Sequence, residues 1–151
     1  MAFLPFPNTL RFLTLSNEPQ QVGLFSFDEI TEVKALRAYF LDHLSSNPSA
    51  QIRFKLSFDE SVDSYFEATE WITISDITQA ANYWIGWVTF NFDKTAYLPA
   101  STPIYLFCET SGYTEGSGSY AGLCFDDIPD VNVKAASDSF GVAVQFIELS
   151  E

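Results

Sequence analysis

The stretch from Asn82 to Asp93 constrains this chain more than any other. From Trp87 onward its residues alternate strictly, Trp87, Thr89 and Asn91 against Val88, Phe90 and Phe92. A two-residue period is that of a β-strand with one face in a core and one facing out, so Val88, Phe90 and Phe92 are the expected buried row. Trp84 stands out of phase with Trp87, and Gly86 lies between them, where a β-bulge or a close backbone approach is expected. This segment reads as a central strand of an antiparallel sheet.

The same period recurs elsewhere. Thr9–Leu15 and Gln21–Phe27 read as short strands, the second with Val22, Leu24 and Phe27 as its inward candidates. Gln51–Phe58 alternates Ile52, Phe54, Leu56 and Phe58 against Arg53, Lys55 and Ser57. Phe66–Ile74 sets Ala68, Glu70, Ile72 and Ile74 against Glu67, Thr69, Trp71 and Thr73. Strands are also expected over Ile104–Thr110, Tyr120–Phe125 and Phe140–Leu149. Asp28–Leu44 is ambiguous, because Val33, Leu36, Phe40 and Leu44 keep helical spacing while Leu36, Ala38 and Phe40 fit a strand. The turn signal Ser45-Ser46-Asn47-Pro48-Ser49 before a clean strand favours a long hairpin and hence a strand. Ser75–Ala81 is a short helical or irregular link with an N-cap expected at Ser75 or Asp76, and Lys94–Pro103 is a loop. About eight or nine strands at this spacing, with at most one or two helical turns, define an all-β fold, an antiparallel two-sheet β-sandwich.

The domain is expected to span residues 9–151, behind an extended, Pro-containing arm at 1–8 whose Phe3, Leu4 and Phe6 are candidate docking side chains. A strap over one end of the sandwich is the other reading of that arm. Nearly half of the 151 residues are hydrophobic, enough for a core without metals or disulfides, and no apolar run reaches membrane-spanning length. The net charge of −13, with Lys134 the one basic residue after Lys94, argues against a nucleic-acid partner. The start of the chain lacks the basic and apolar blocks of a signal peptide, so synthesis and folding in a host cytoplasm are expected. The composition, rich in aromatic, Ser and Thr residues, is that of a displayed protein; a virion satisfies both, with an extracellular surface as the alternative.

Chemistry is sparsely signalled. His43, beside Asp42, has no Gly-x-Ser-x-Gly elbow or paired metal-ligand motif elsewhere to work with, and reads as a structural residue. Carboxylate pairs such as Glu67 with Glu70, or Asp126 with Asp127, arise by chance in so acidic a chain, so no enzymatic activity is expected. Asp126, Asp127 and Asp130 share one loop and are the candidate ligands of a structural calcium ion, with Asp59, Glu60 and Asp63 a second acidic turn; solvated turns are the plainer reading of both. No other cofactor is expected. Cys108 and Cys124 lie in neighbouring candidate strands, as two small buried residues or as a cross-strand disulfide. Trp71, Trp84, Trp87, Tyr113 and Tyr120 are the candidate aromatic platforms for a sugar, with core packing the alternative for the tryptophans; Tyr113, in a Gly-rich loop, is the best placed to be exposed.

The order of several steps carries a resemblance. A turn with Asn47-Pro-Ser leads into Ile52-Arg-Phe-Lys-Leu, then come Trp84-Ile-Gly-Trp-Val-Thr-Phe, Leu98-Pro-Ala-Ser-Thr-Pro-Ile-Tyr-Leu and a closing Ser111-Gly-Tyr. Over about Gln21–Leu149 this pattern resembles the jelly-roll modules of phage tail, fibre and decoration proteins and of bacterial surface proteins. The resemblance implies a non-enzymatic virion component that assembles with other virion subunits as a homo-oligomer. Related sandwiches are carbohydrate-binding modules, which implies a host-surface glycan as the alternative partner; a small glycan hydrolase is the remaining alternative.

Overall fold

In the computed structural model, residues 12–43, 47–78, 83–115, 120–124, 133–135 and 144–149 are described. In chain order the strands are β1 (Phe12–Thr14), β2 (Gln20–Phe27), β3 (Thr31–His43), β4 (Gln51–Ser57), β5 (Tyr65–Ala68), β6 (Ile72–Thr73), β7 (Tyr83–Leu98), β8 (Ile104–Ser111), β9 (Tyr120–Cys124), β10 (Val133–Ala135) and β11 (Val144–Glu148). A 3-10 turn, Val62–Ser64, precedes β5, and a five-residue helix α1, Ile74–Thr78, follows β6.

Two antiparallel sheets form. In sheet A, β3 is the middle strand: β7 runs along one edge, while β11 and β9 share the other, and β1 pairs with β9. Sheet B has the order β10-β2-β8-β4, and β5 and β6 share the outer edge of β4. The pairs β1·β9, β2·β8, β3·β7 and β4·β5 are the rungs of one long antiparallel ribbon, wound so that successive rungs alternate between the sheets. That winding is a jelly roll, and the fold is the two-sheet sandwich that the alternating sequence pattern implies.

Alternation explains the core. From sheet A, Leu36, Ala38, Phe40, Val88, Phe90 and Phe146 face Val22, Phe25, Phe27, Ile52, Phe54, Leu56, Ile104 and Leu106 from sheet B. Rings meet edge to face across the interface: Phe54 on Phe90 at 4.9 Å, and Phe146 between Phe25 at 5.5 Å and Phe27 at 5.3 Å. Such pairs add about 0.5–1.5 kcal/mol each beyond the burial of their surface. The ambiguous segment is β3, because Leu36, Ala38 and Phe40 enter this core while both edges find partners; a helix there would leave β7 and β11 without the strand they pair with.

Four local expectations are corrected. Gly86 is not a bulge, since β7 stays in register with β3 from Tyr83 to Asn91. Trp84, Gly86 and Val88 share one face, and the Trp84 ring lies so close over Gly86 that an added Cβ would stand 3.1 Å from it. The bulge lies further on, where Val33 pairs with Ala96 but Ala35 pairs with Asn91, so β7 continues through the expected loop at Lys94 to Leu98. The expected strand Phe66–Ile74 is split: at Thr69 and Glu70 the chain leaves sheet B, with Thr69 N donating to Phe54 O and Glu70 N to Asn91 O of β7, which ties the two sheets at one corner. Finally, α1 begins at Ile74, placing Ser75 and Asp76 inside its first turn; the Ile74 and Ser75 amides donate to Ala50 O and Pro48 O, so a neighbouring loop does the capping.

Candidate functional site

Because Ile52, Phe54 and Leu56 enter the core, Arg53 and Lys55 of β4 stand on the outer face of sheet B. On β8 the same rule sends Ile104, Leu106 and Cys108 inward and leaves Tyr105, Phe107 and Glu109 outward. Register sets Arg53 directly opposite Glu109 and Lys55 opposite Phe107. The result is a closed ion triad. Arg53 Nε and Nη2 reach Glu109 Oε1 at 2.9 and 2.8 Å, and Lys55 Nζ reaches Oε2 at 2.8 Å.

An aromatic ring stands at each end. The Arg53 guanidinium lies over Trp71 at 4.2 Å, and the Lys55 ammonium over Tyr65 at 4.2 Å. The split between β5 and β6 is what brings Trp71 beside Arg53, because the chain re-enters sheet B there after its excursion to β7. The row reads Trp71, Arg53, Glu109, Lys55, Tyr65: ring, cation, anion, cation, ring. Burial pushes the Glu109 carboxyl up, but hydrogen bonds from Lys55 and Arg53 and their charges outweigh it, and the group sits below its ordinary 4.5. Glu109 is therefore ionised at neutral pH and the triad carries one net positive charge in a chain of −13.

The other sequence candidates scatter. Trp84 faces inward and packs on the core, 6.4 Å from the Phe40 ring. Trp87 lies on the opposite outer face, that of sheet A, edge to face with Tyr39 at 5.2 Å and under the Arg37 guanidinium at 4.4 Å. Tyr113, expected to be an exposed loop ring, is 5 % exposed: its hydroxyl accepts the Ala121 amide at 3.2 Å, so it closes the end of the sandwich where the chain leaves β8. Tyr120 pairs with His43 in the β3–β9 ladder. Asp42 is buried, with its charge near Tyr113, and His43 is half-buried.

The disulfide reading is corrected. Cys108 is a free buried thiol on β8 of sheet B, whereas Cys124 is on β9 of sheet A, because the β8–β9 connection crosses between sheets instead of making a hairpin. Asp59 organises its own turn, accepting from Ser61 N at 2.8 Å, and among the described residues no three His, Cys, Asp or Glu side chains cluster as metal ligands. The calcium candidates Asp126, Asp127 and Asp130 and the arm residues Phe3, Leu4 and Phe6 lie outside the described residues.

A second surface feature lies at the end of sheet A where β3 begins and β7 and β11 finish. Among the described residues, Ile30, Tyr97 and Leu149 are large apolar side chains exposed by 65, 62 and 49 %. They gather around Glu32, which pairs with Tyr97 across the sheet, hydrogen-bonds its phenol and accepts the Leu149 amide at 3.0 Å through its carbonyl. Ile30 and Leu149 line a shallow open depression of about 370 Å³ there, with Thr31, Glu32 and Glu148. No protein-family model matches the chain, and no curated protein matches it.

Proposed function

We propose that this chain is a non-enzymatic structural subunit of a phage particle, a decoration, fibre or tail-associated protein that works by assembling with other virion subunits and displaying a folded surface. The observation that carries the assembly part is the Ile30, Tyr97 and Leu149 cluster. Large apolar side chains grouped at one end of a sandwich, with polar groups beside them, are the composition of a subunit contact. Repeated copies related by symmetry are the ordinary way such a surface is covered. The jelly-roll winding supports the display part, since it leaves two broad strand-borne faces on a scaffold whose core is continuous between the sheets.

Light scattering on the full chain across a range of concentrations tests the reading. A defined oligomer that dissociates on Ile30→Glu or Tyr97→Glu, with the far-ultraviolet spectrum unchanged, is the expected result. A wild-type chain that stays monomeric at about 100 μM, where any contact of micromolar strength forms, overturns it.

A further inference from the structure

We propose that the outer face of sheet B is a binding site for a neutral hexopyranose oligosaccharide, lying along β4 between Trp71 and Tyr65 with its hydroxyls on Arg53, Glu109 and Lys55. The donor set selects this class. Arg53 spends two of its five N–H groups on Glu109, Lys55 spends one of its three, and Glu109 retains lone pairs on Oε2. Donors and an ionised acceptor thus alternate along one line. A hydroxyl group both donates and accepts, so a run of sugar hydroxyls satisfies such a line, whereas a carboxylate or phosphate meets Glu109 at its centre and a cation meets two positive neighbours. The charge of −13 on the whole chain further disfavours a polyanion.

The rings complete the fit. Tyr65 is 43 % exposed and Trp71 partly so, each with a cation against it, leaving ring surface for the apolar C–H faces of a pyranose. Trp71 flanks Arg53, and Tyr65 is opposite Ser57, so the ends of the row are separated by four residues of strand, about 13 Å, the reach of a short oligosaccharide. The groups are also held before any ligand arrives. Arg53, Lys55 and Glu109 sit on β4 and β8, two neighbouring strands inside sheet B, and lock one another's rotamers, which lowers the ordering cost of binding. This surface is distinct from the apolar end assigned to assembly, so either can fail without the other.

The test follows the three indole N–H signals of the full-length chain by nuclear magnetic resonance during titration with glucose-, mannose- and galactose-based tetrasaccharides, and with a uronic-acid tetrasaccharide as the anionic control. A saturable shift of the Trp71 signal with at least one neutral sugar is expected, with the Trp84 and Trp87 signals still. Tyr65→Ala and Trp71→Ala each weaken that binding at least tenfold, while Trp87→Ala on the opposite face leaves it intact. Tyr65→Ala, at an exposed ring, keeps the test open if Trp71→Ala does not fold. No Trp71 shift up to about 10 mM neutral sugar, enough to saturate a roughly 1 mM site, overturns the proposal. So does binding unaffected by Tyr65→Ala, or binding of the uronic-acid sugar alone.

Discussion

Replacing Glu109 by Gln keeps the shape of the side chain and removes its charge, so it isolates what the triad contributes. Gln can present its oxygen to Arg53, preserving the contacts at 2.9 and 2.8 Å, but its amide then points N–H groups at Lys55 Nζ, itself a donor. Lys55 is only 8 % exposed and loses its carboxylate. Fully exposed ion pairs are worth about 0–1 kcal/mol and hydrogen bonds to charged groups about 1.5–3 kcal/mol. With side chains exposed by 22, 16 and 10 % for Arg53, Glu109 and Lys55, the second range applies. Glu109→Gln is therefore expected to cost about 2–3 kcal/mol at pH 7, a fall of about 1 M or more in the urea midpoint. The pH dependence gives the sign. The folded pKa of Glu109 lies below its ordinary 4.5, so the folded state binds fewer protons than the unfolded one between the two values. The stabilisation is whole above the ordinary value and disappears as pH falls through the lowered one. The gap between wild type and variant should thus stay constant from pH 7 to about 5 and close below 4.5. Urea titrations followed by tryptophan fluorescence at several pH values measure this. A cost under about 0.5 kcal/mol at pH 7, or a gap that does not narrow in acid, refutes the account of the triad.

Three further outcomes follow from the packing. Phe90→Ala empties a fully buried site and removes the edge-to-face contact with Phe54, costing about 3–5 kcal/mol in the same unfolding assay. Two glycine-to-alanine changes separate sterics from backbone conformation. Gly122→Ala puts a Cβ 2.7 Å from Leu13 O and should loosen β1 from β9, seen as faster amide exchange in Phe12–Thr14 and a loss of about 1–3 kcal/mol; Gly112→Ala meets nothing closer than 4.0 Å but holds a φ of +73°, and should cost about 1–2 kcal/mol without local loosening. Cys108 should resist iodoacetamide in the native state and label only on unfolding, as read by peptide mass spectrometry, because burial first and the neighbouring Glu109 charge second push its thiol well up.

The inner half of the fold was legible and the outer half was not, for a physical reason. A buried face repeats every second residue, so Ile52, Phe54 and Leu56, or Val88, Phe90 and Phe92, declare their side of a strand without reference to any partner. The two-sheet sandwich followed from the number of such strands and the turns between them, whereas the strand order rests on pairings between distant segments. The triad has no such local signature. Arg53 and Lys55 were readable as an outward row, but Glu109 is 56 residues from Arg53 and 54 from Lys55, and only the β4–β8 register sets them together. Tyr65 was hidden behind an acidic turn, and Trp71 in what looked like one unbroken strand. Tyr113 misled because its Gly-rich surroundings signal a loop, and a loop residue buries its ring only if the end of the sandwich needs a plug. Cys108 and Cys124 misled because adjacency in sequence suggested a hairpin, where the ribbon instead sends alternate strands to opposite sheets.

The same winding explains why outer faces are where function is to be sought. In a ribbon whose rungs alternate between sheets, each inward side chain contacts the opposite sheet, so a change at Phe54 is felt at Phe90 and a change at Phe25 or Phe27 is felt at Phe146. The inward rows are fixed by one another and have little freedom to acquire chemistry. The outward rows of β4 and β8 rest on that rigid layer yet contact little beyond their own sheet, so their composition can be set by a ligand without disturbing the core. Three charged side chains brought together with two aromatic rings on such a row cost desolvation that an apolar or plainly solvated row would avoid. The alternation of donors and acceptor that results is the feature on which the proposed oligosaccharide site rests.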